Sequence, residues 1–253
     1  MTLTDFLSAT IPTRAKLHLV HCTTVGKGLG VLASGLLAPT LCPVYETDLL
    51  YLFYGRPAYK AGAGKGASGI LDLAPVCLVL DPQLLDQSIR VLPFDSGGFP
   101  RYQALIGPDL QRAEFELNGD PSFPLRLVHA FYQSNRNYYD QVPTTHEADL
   151  PLSRRTARAI ARLIADPAIR NDDDRCGTIE LQFSRPLSLA TVLRAIVAPA
   201  AMLDDPEIQK ALSTCPDAVP IPYKMYGRFD PLSFANTIYE RVDTFLESKG
   251  CFA

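Results

Sequence analysis

Apolar and polar positions alternate in several short runs along the chain. In residues 16–22, Leu17, Leu19 and His21 fall on one face and His18, Val20 and Cys22 on the other, the period of two expected of a strand. Residues 49–54 predict a second strand, rich in aromatics, and residues 76–80, 88–92 and 113–117 predict further short ones. Residues 26–35 read as a short helix, with Leu29, Leu32 and Ala33 inward and Gly35 placed to end it. A longer helix is expected over 153–165, capped by Ser153, with Ala157, Ile160, Ala161 and Ile164 as its apolar stripe. Residues 177–183 predict a strand on which Ile179, Leu181 and Phe183 face the core, so that Thr178, Glu180 and Gln182 face the other way. A last helix is expected over 231–249, with Asp230 as cap, Pro231 in the first turn, Gly250 at the end, and Phe234, Ile238, Val242 and Phe245 on its core face. Many short strands interrupted by helices, without strict βαβ alternation, predict an α+β class. A single domain over residues 1–253 is expected, with the last helix packed on it.

Composition narrows this picture in three ways. Hydrophobic residues make up 47 % of the 253, enough for a globular core. The formal net charge of −3 gives no global case for a nucleic-acid partner, so any basic binding surface must be local. No apolar run approaches transmembrane length, and residues 1–14 lack the basic start and long apolar stretch of a signal peptide. The six cysteines are scattered with no Cys-x-x-Cys pair, and Cys22 and Cys77 sit inside apolar runs where a reduced thiol packs as a small hydrophobe. A cytoplasmic protein with no membrane partner and no zinc site is expected.

Two motifs lead to weaker chemistry than they first suggest. Residues 64–69 match the G-x-G-x-x-G dinucleotide fingerprint, but that fingerprint needs a following helix to hold the pyrophosphate. Residues 70–80 look extended and contain Pro75, so a mobile loop over 61–69 fits better. The phosphate-loop pattern fails because Gly64-Lys65 is followed by Gly66. His18 and His21, three apart on a strand, point to opposite faces and cannot grip one metal, and no metal is expected.

The order of a larger set of residues is more informative. His21-Cys22-Thr23 ends a strand, and a short helix closed by Ser34-Gly35-Leu36-Leu37 follows. Next comes an aromatic strand leading into Phe53-Tyr54-Gly55-Arg56-Pro57-Ala58-Tyr59. Far downstream Glu180 sits on the polar face of its strand, followed by Pro186-Leu187 and an apolar run over 192–197. In this order the sequence resembles the His–Tyr–Glu branch of the ADP-ribosyltransferase superfamily, and within it the DarT-like toxins. The resemblance covers residues 17–60 and 177–198, with Val91-Leu92-Pro93-Phe94-Asp95 loosely similar between them. It implies two small packed β-sheets flanked by helices. It also implies an NAD-dependent ADP-ribosyltransferase, with NAD as substrate, that acts as a toxin or phage-defence effector, with an antitoxin protein as a possible partner. Thr178 stands where arginine-modifying transferases carry Glu or Gln, which argues against protein arginine as acceptor.

The resemblance also assigns roles. Breaking the nicotinamide–ribose bond leaves oxocarbenium-like charge on the ribose, and a carboxylate offsets it; that role falls to Glu180. His21, with Thr23 beside it, would fix a ribose hydroxyl. Tyr54 or Tyr59 would stack on the nicotinamide, and Arg56 would pair with the pyrophosphate. For the acceptor, Arg154, Arg158 and Arg162 crowd the polar side of the helix over 153–165, and Tyr138 sits in an aromatic, amide-rich segment over 131–139. Stacking plus phosphate pairing is how single strands are held, so nucleic acid is the expected acceptor. Transfer to protein, hydrolysis of NAD by water, and binding of NAD or ADP-ribose without turnover are the alternatives.

Overall fold

The computed structural model describes residues 2–58, 69–166, 174–227 and 231–252. Tyr59, the glycine-rich segment 61–68, Asp172, Asp173 and Asp230 lie outside the described residues.

Among the described residues ten strands form the sheets: β1 (Leu19–Thr24), β2 (Leu36–Leu37), β3 (Thr40–Cys42), β4 (Thr47–Tyr54), β5 (Pro75–Leu80), β6 (Arg90–Leu92), β7 (Glu180–Phe183), β8 (Leu187–Ser188), β9 (Leu193–Pro199) and β10 (Val219–Tyr223). Seven of them run in the order β10-β9-β5-β1-β4-β7-β6, with β3 added beside β4, and β2 pairs with β8 in a separate ribbon. The class is therefore α+β, with a mixed eight-stranded sheet and a two-stranded one. The continuous path through the large sheet replaces the expected pair of small sheets. β5 (PVCLVL) is buried on both faces, as an unbroken apolar run requires, and it pairs with β1 along its whole length. By contrast β1 and β4 are in register only at Leu19↔Tyr54 and Val20↔Phe53, after which they part. That short joint divides the sheet into a β10-β9-β5-β1 half and a β4-β7-β6 half.

Helices pack on this frame. They are α1 (Leu3–Ser8), α2 (Val25–Ser34), α3 (Phe99–Ile106), α4 (Phe123–Tyr132), α5 (Asn135–Tyr139), α6 (Arg155–Ala165), α7 (Leu189–Val192), α8 (Ala200–Leu203), α9 (Pro206–Leu212) and α10 (Ala235–Ser248). α2 follows β1 directly and ends at Gly35 in the left-handed conformation (φ 67°), as its sequence predicts. Its inward residues are Val25, Gly28 and Leu32; of the expected stripe Leu32 is inward, while Leu29 and Ala33 are exposed. α6 buries Ala157, Ile160, Ala161 and Ile164 as predicted, but it begins after Arg154 and Ser153 does not cap it. Residues 112–115 form a 3-10 turn instead of the predicted strand, and only Leu117 bridges to Val91. The chain before α10 is also 3-10, so the last helix starts later than expected and buries Ile238, Val242, Phe245 and Leu246 against β5 and β9. Gly55 follows the end of β4 at φ 70°, where a Cβ would lie 2.5 Å from Leu17, so glycine is required both by conformation and by space. All six cysteines are free thiols, and no helix among the described residues is long and apolar enough to cross a membrane.

Candidate active site

The parting of β1 from β4 opens a cleft of about 480 Å³, lined among others by His21, Thr23, Tyr51, Phe53, Asp95 and Arg175. A second arm of about 590 Å³ runs along α2 past Gly26, Gly30 and Ser34. The two arms share His21, Cys22, Thr23, Lys27 and Tyr51, so they are one groove. Its size is that of an ordinary small-molecule or cofactor site.

His21 stands in the fork between the strands. Its Nδ1 lies 2.9 Å from the Tyr51 carbonyl oxygen. A carbonyl only accepts, so Nδ1 carries the proton, and the neutral ring offers Nε2 as an acceptor. Burial pushes the pKa of His21 down, the Tyr51 carbonyl opposes this, and the Lys27 charge adds to it. The neutral ring is the stable form, with Nε2 as its acceptor atom. Thr23 lines both arms.

Glu180 is fully buried on β7, directly across from Phe53 in β4 and Leu92 in β6. Its Oε2 accepts the Ser96 backbone N–H at 3.1 Å, and its Oε1 accepts from Gln182 Nε2 at 2.8 Å. Burial and the neighbouring charge of Asp95 raise its pKa to about 8, against these hydrogen bonds. The polar face of β7 is thus not solvated, since Thr178, Glu180 and Gln182 are all buried. Gln182 in turn accepts from Arg90 Nη1 at 2.5 Å, and Arg90 pairs with Glu116 at 3.2 Å, so a polar chain that runs outward to partly exposed groups fixes the carboxyl. Glu180 sits behind Ser96, and Ser96 lines the cleft. Contact between Glu180 and a bound ribose therefore requires the Ser96–Gly98 turn to shift.

Several sequence-based assignments are corrected by position. Tyr54 has no exposed surface; its hydroxyl accepts the Leu17 N–H, and its carbonyl accepts from the Tyr138 hydroxyl at 2.8 Å. Among the described residues, the aromatic rings in the cleft are Tyr51 and Phe53, on the opposite face of β4. Period-two alternation carried that signal, because Tyr51 and Phe53 cannot share a face with Tyr54. Arg56 is 4 % exposed and outside the cleft: it donates to the Tyr139 carbonyl, and its Nε lies 3.4 Å from Thr178 Oγ1. Among the described residues, the cations that line the cleft are Lys27, in the first turn of α2, and Arg175, whose Nη2 is 3.3 Å from Asp95 Oδ2. Nothing in the local sequence singled out Arg175, whereas Asp95 lay within the loosely similar segment 91–95.

The proposed acceptor residues are also taken up elsewhere. Tyr138 is buried, its hydroxyl joining the Tyr54 carbonyl to the Ile179 N–H. Arg158 and Arg162 both clasp Glu147, at 2.8 and 2.6 Å, and also donate to the carbonyls of Leu150 and Leu105. Arg154 lies over the Phe6 ring. The stripe ties α6 to the segment 147–150 and to α3, and it is not a free basic face. Compared with protein-family models, with curated proteins and with solved structures, the chain matches none.

Proposed function

We propose that this chain cleaves the nicotinamide–ribose bond of NAD and transfers ADP-ribose to a protein acceptor, on a fold of ADP-ribosyltransferase type. The observation that carries this reading is the fork itself. β1 and β4 part after one end of the sheet, His21 fills the gap, and Glu180 lies on the next strand beside the cleft wall. The β2–β8 ribbon adds support, because it joins the Leu36–Leu37 and Leu187–Ser188 segments that carried the resemblance at opposite ends of the sequence.

In this reading the pyrophosphate takes Lys27 and Arg175, the nicotinamide takes the ring of Tyr51, and His21 Nε2 accepts a ribose hydroxyl. NAD brings a pyridinium charge into a site that holds a buried carboxyl, and that charge favours the ionised form of Glu180. The carboxylate then stabilises the cation that develops as nicotinamide leaves. A protein acceptor fits the cleft mouth better than a polyanion does. Leu41 and Val44 on one arm and Leu36 on the other are exposed apolar lips, at 72 %, 36 % and 44 %, while the α6 arginines are engaged internally.

The test is to supply labelled NAD separately with protein, DNA and RNA, for the wild-type chain and for Glu180→Gln. Label is expected on protein, and the variant should lose about a hundred- to thousand-fold in nicotinamide release with its fold unchanged. Label on DNA or RNA would reverse the acceptor assignment, and free ADP-ribose alone would make water the acceptor. Wild-type turnover by Glu180→Gln would remove that residue from the mechanism.

A further inference from the structure

We infer that Asp95 is the general base of the transfer, taking the proton of the attacking nucleophile on the cleft side while Glu180 stabilises the ribosyl cation from behind. This rests on the NAD-cleaving reading above. Asp95 lines the cleft within the same wall as Ser96 and Gly97, whereas Glu180 does not reach the surface. The two carboxyls are fixed to one another through a single residue, because the backbone N–H of Ser96 donates to Glu180. Arg175 holds the Asp95 carboxylate at 3.3 Å, and the Asp95 N–H donates to the Arg175 carbonyl at 3.2 Å, so its direction is set by two contacts with one residue. Glu180, by contrast, has a donor on each oxygen and no exposed surface from which to collect a proton from an incoming group.

Charge gives the reason for two carboxyls. Two neighbouring carboxylates repel one another, and Arg175, on the far side of Asp95, offsets that repulsion only in part. The pyridinium of NAD adds a second positive group first, and the ribosyl cation supplies it next. When a nucleophile quenches the cation, only Arg175 still offsets the two carboxylates, which favours uptake of a proton by the pair. The nucleophile has one to lose at that moment. In bond terms, the C1–N1 bond of the nicotinamide riboside breaks with its electron pair going to nicotinamide nitrogen. The lone pair of the nucleophile forms the new bond to C1. The nucleophile's proton moves to the Asp95 carboxylate and from there to solvent when the product leaves. Separating the two roles between groups in different environments is a general way of running acid–base chemistry in one site.

The experiment compares wild type, Asp95→Asn, Asp95→Ala and Glu180→Gln for nicotinamide release from NAD, with and without sodium azide. Azide is an anionic nucleophile with no proton to surrender. Both Asp95 variants are expected to lose about 100-fold or more in release, the usual worth of a positioned base. Azide should restore at least one of them, with ADP-ribosyl azide identified by mass spectrometry, while leaving Glu180→Gln inactive. Asp95 variants that keep the wild-type rate overturn the assignment. So do variants that bind NAD normally, have lost activity, and gain nothing from azide, because Asp95 would then only position the wall. A wild-type chain that releases no nicotinamide overturns the NAD reading itself, and the base assignment falls with it.

Discussion

A carboxyl group with no exposed surface and a second carboxylate beside it keeps its proton more readily than one in water. Glu180 is in that position, with Asp95 as the neighbouring charge and only Ser96 and Gln182 to favour ionisation. If NAD cleavage needs Glu180 ionised, the sign of its pH dependence follows. The raised pKa means the active form is scarce below about pH 8 in the free protein, so kcat/KM should climb as pH rises through that value. The pyridinium of bound NAD favours the carboxylate, so kcat should inflect at a lower pH than kcat/KM. Initial rates of nicotinamide release from about pH 5.5 to about pH 9.5 give both profiles. A kcat/KM that stays flat between about pH 6 and about pH 9 would show that Glu180 is already ionised in the empty site, or is not needed.

Among elements, the end of β4 shows how one side chain can be claimed by structure when chemistry seemed to want it. Arg56 follows the left-handed Gly55, and its guanidinium reaches α5 and α10: it donates to the Tyr139 carbonyl and lies 5.0 Å from the centre of the Tyr239 ring. Replacing it with Met keeps the stem and removes every charged hydrogen bond, including the one to the Tyr139 carbonyl, while the Tyr138 carbonyl keeps its donors from Gln141. A loss of about 2–4 kcal/mol in unfolding free energy is expected, from the lost bonds to a charged group and the weakened satisfaction of the Tyr139 carbonyl. Urea unfolding measures it. The opposite pattern, with full stability and weakened NAD affinity, would return Arg56 to the pyrophosphate. α6 teaches the same lesson: four arginines in nine residues looked like a basic face, yet Arg158 and Arg162 share one carboxylate, Glu147, from a turn outside the helix.

For the whole molecule, the most telling group is His18, which joins the sheet to the C-terminal helix. It is 8 % exposed, its ring meets Phe245 edge-on at 5.3 Å, and Cys251 Sγ lies 3.7 Å from its Nδ1. Burial pushes its pKa down to about 4, with Asp81 opposing. The fold therefore favours the neutral ring, so this contribution is complete above about pH 6.5 and is lost as pH falls toward 4, by at most about 3 kcal/mol. Urea midpoints at about pH 7 and about pH 4.5 should fall further apart for wild type than for His18→Gln, which has nothing to titrate. Equal drops would mean that His18 is not buried as a neutral base. The sequence alone determined which segments are strands and helices wherever periodicity was strong, as in β1, β4, β7 and α6. It also determined that Glu180 lies opposite the Ile179, Leu181, Phe183 face, because side-chain alternation is a local property of extended backbone. It could not say what covers each face. The polar face of β7 is buried only because Ser96 and Arg90 close over Glu180 and Gln182, and β4 shows Tyr51 to the cleft and Tyr54 to the core only because α2 and α5 lie where they do. Long guanidinium side chains were the least legible of all, since their partners in the described residues come from turns and segments outside their own element, from Glu147 for Arg158 and Arg162 to Tyr139 for Arg56, and only the packed chain brings those partners within reach.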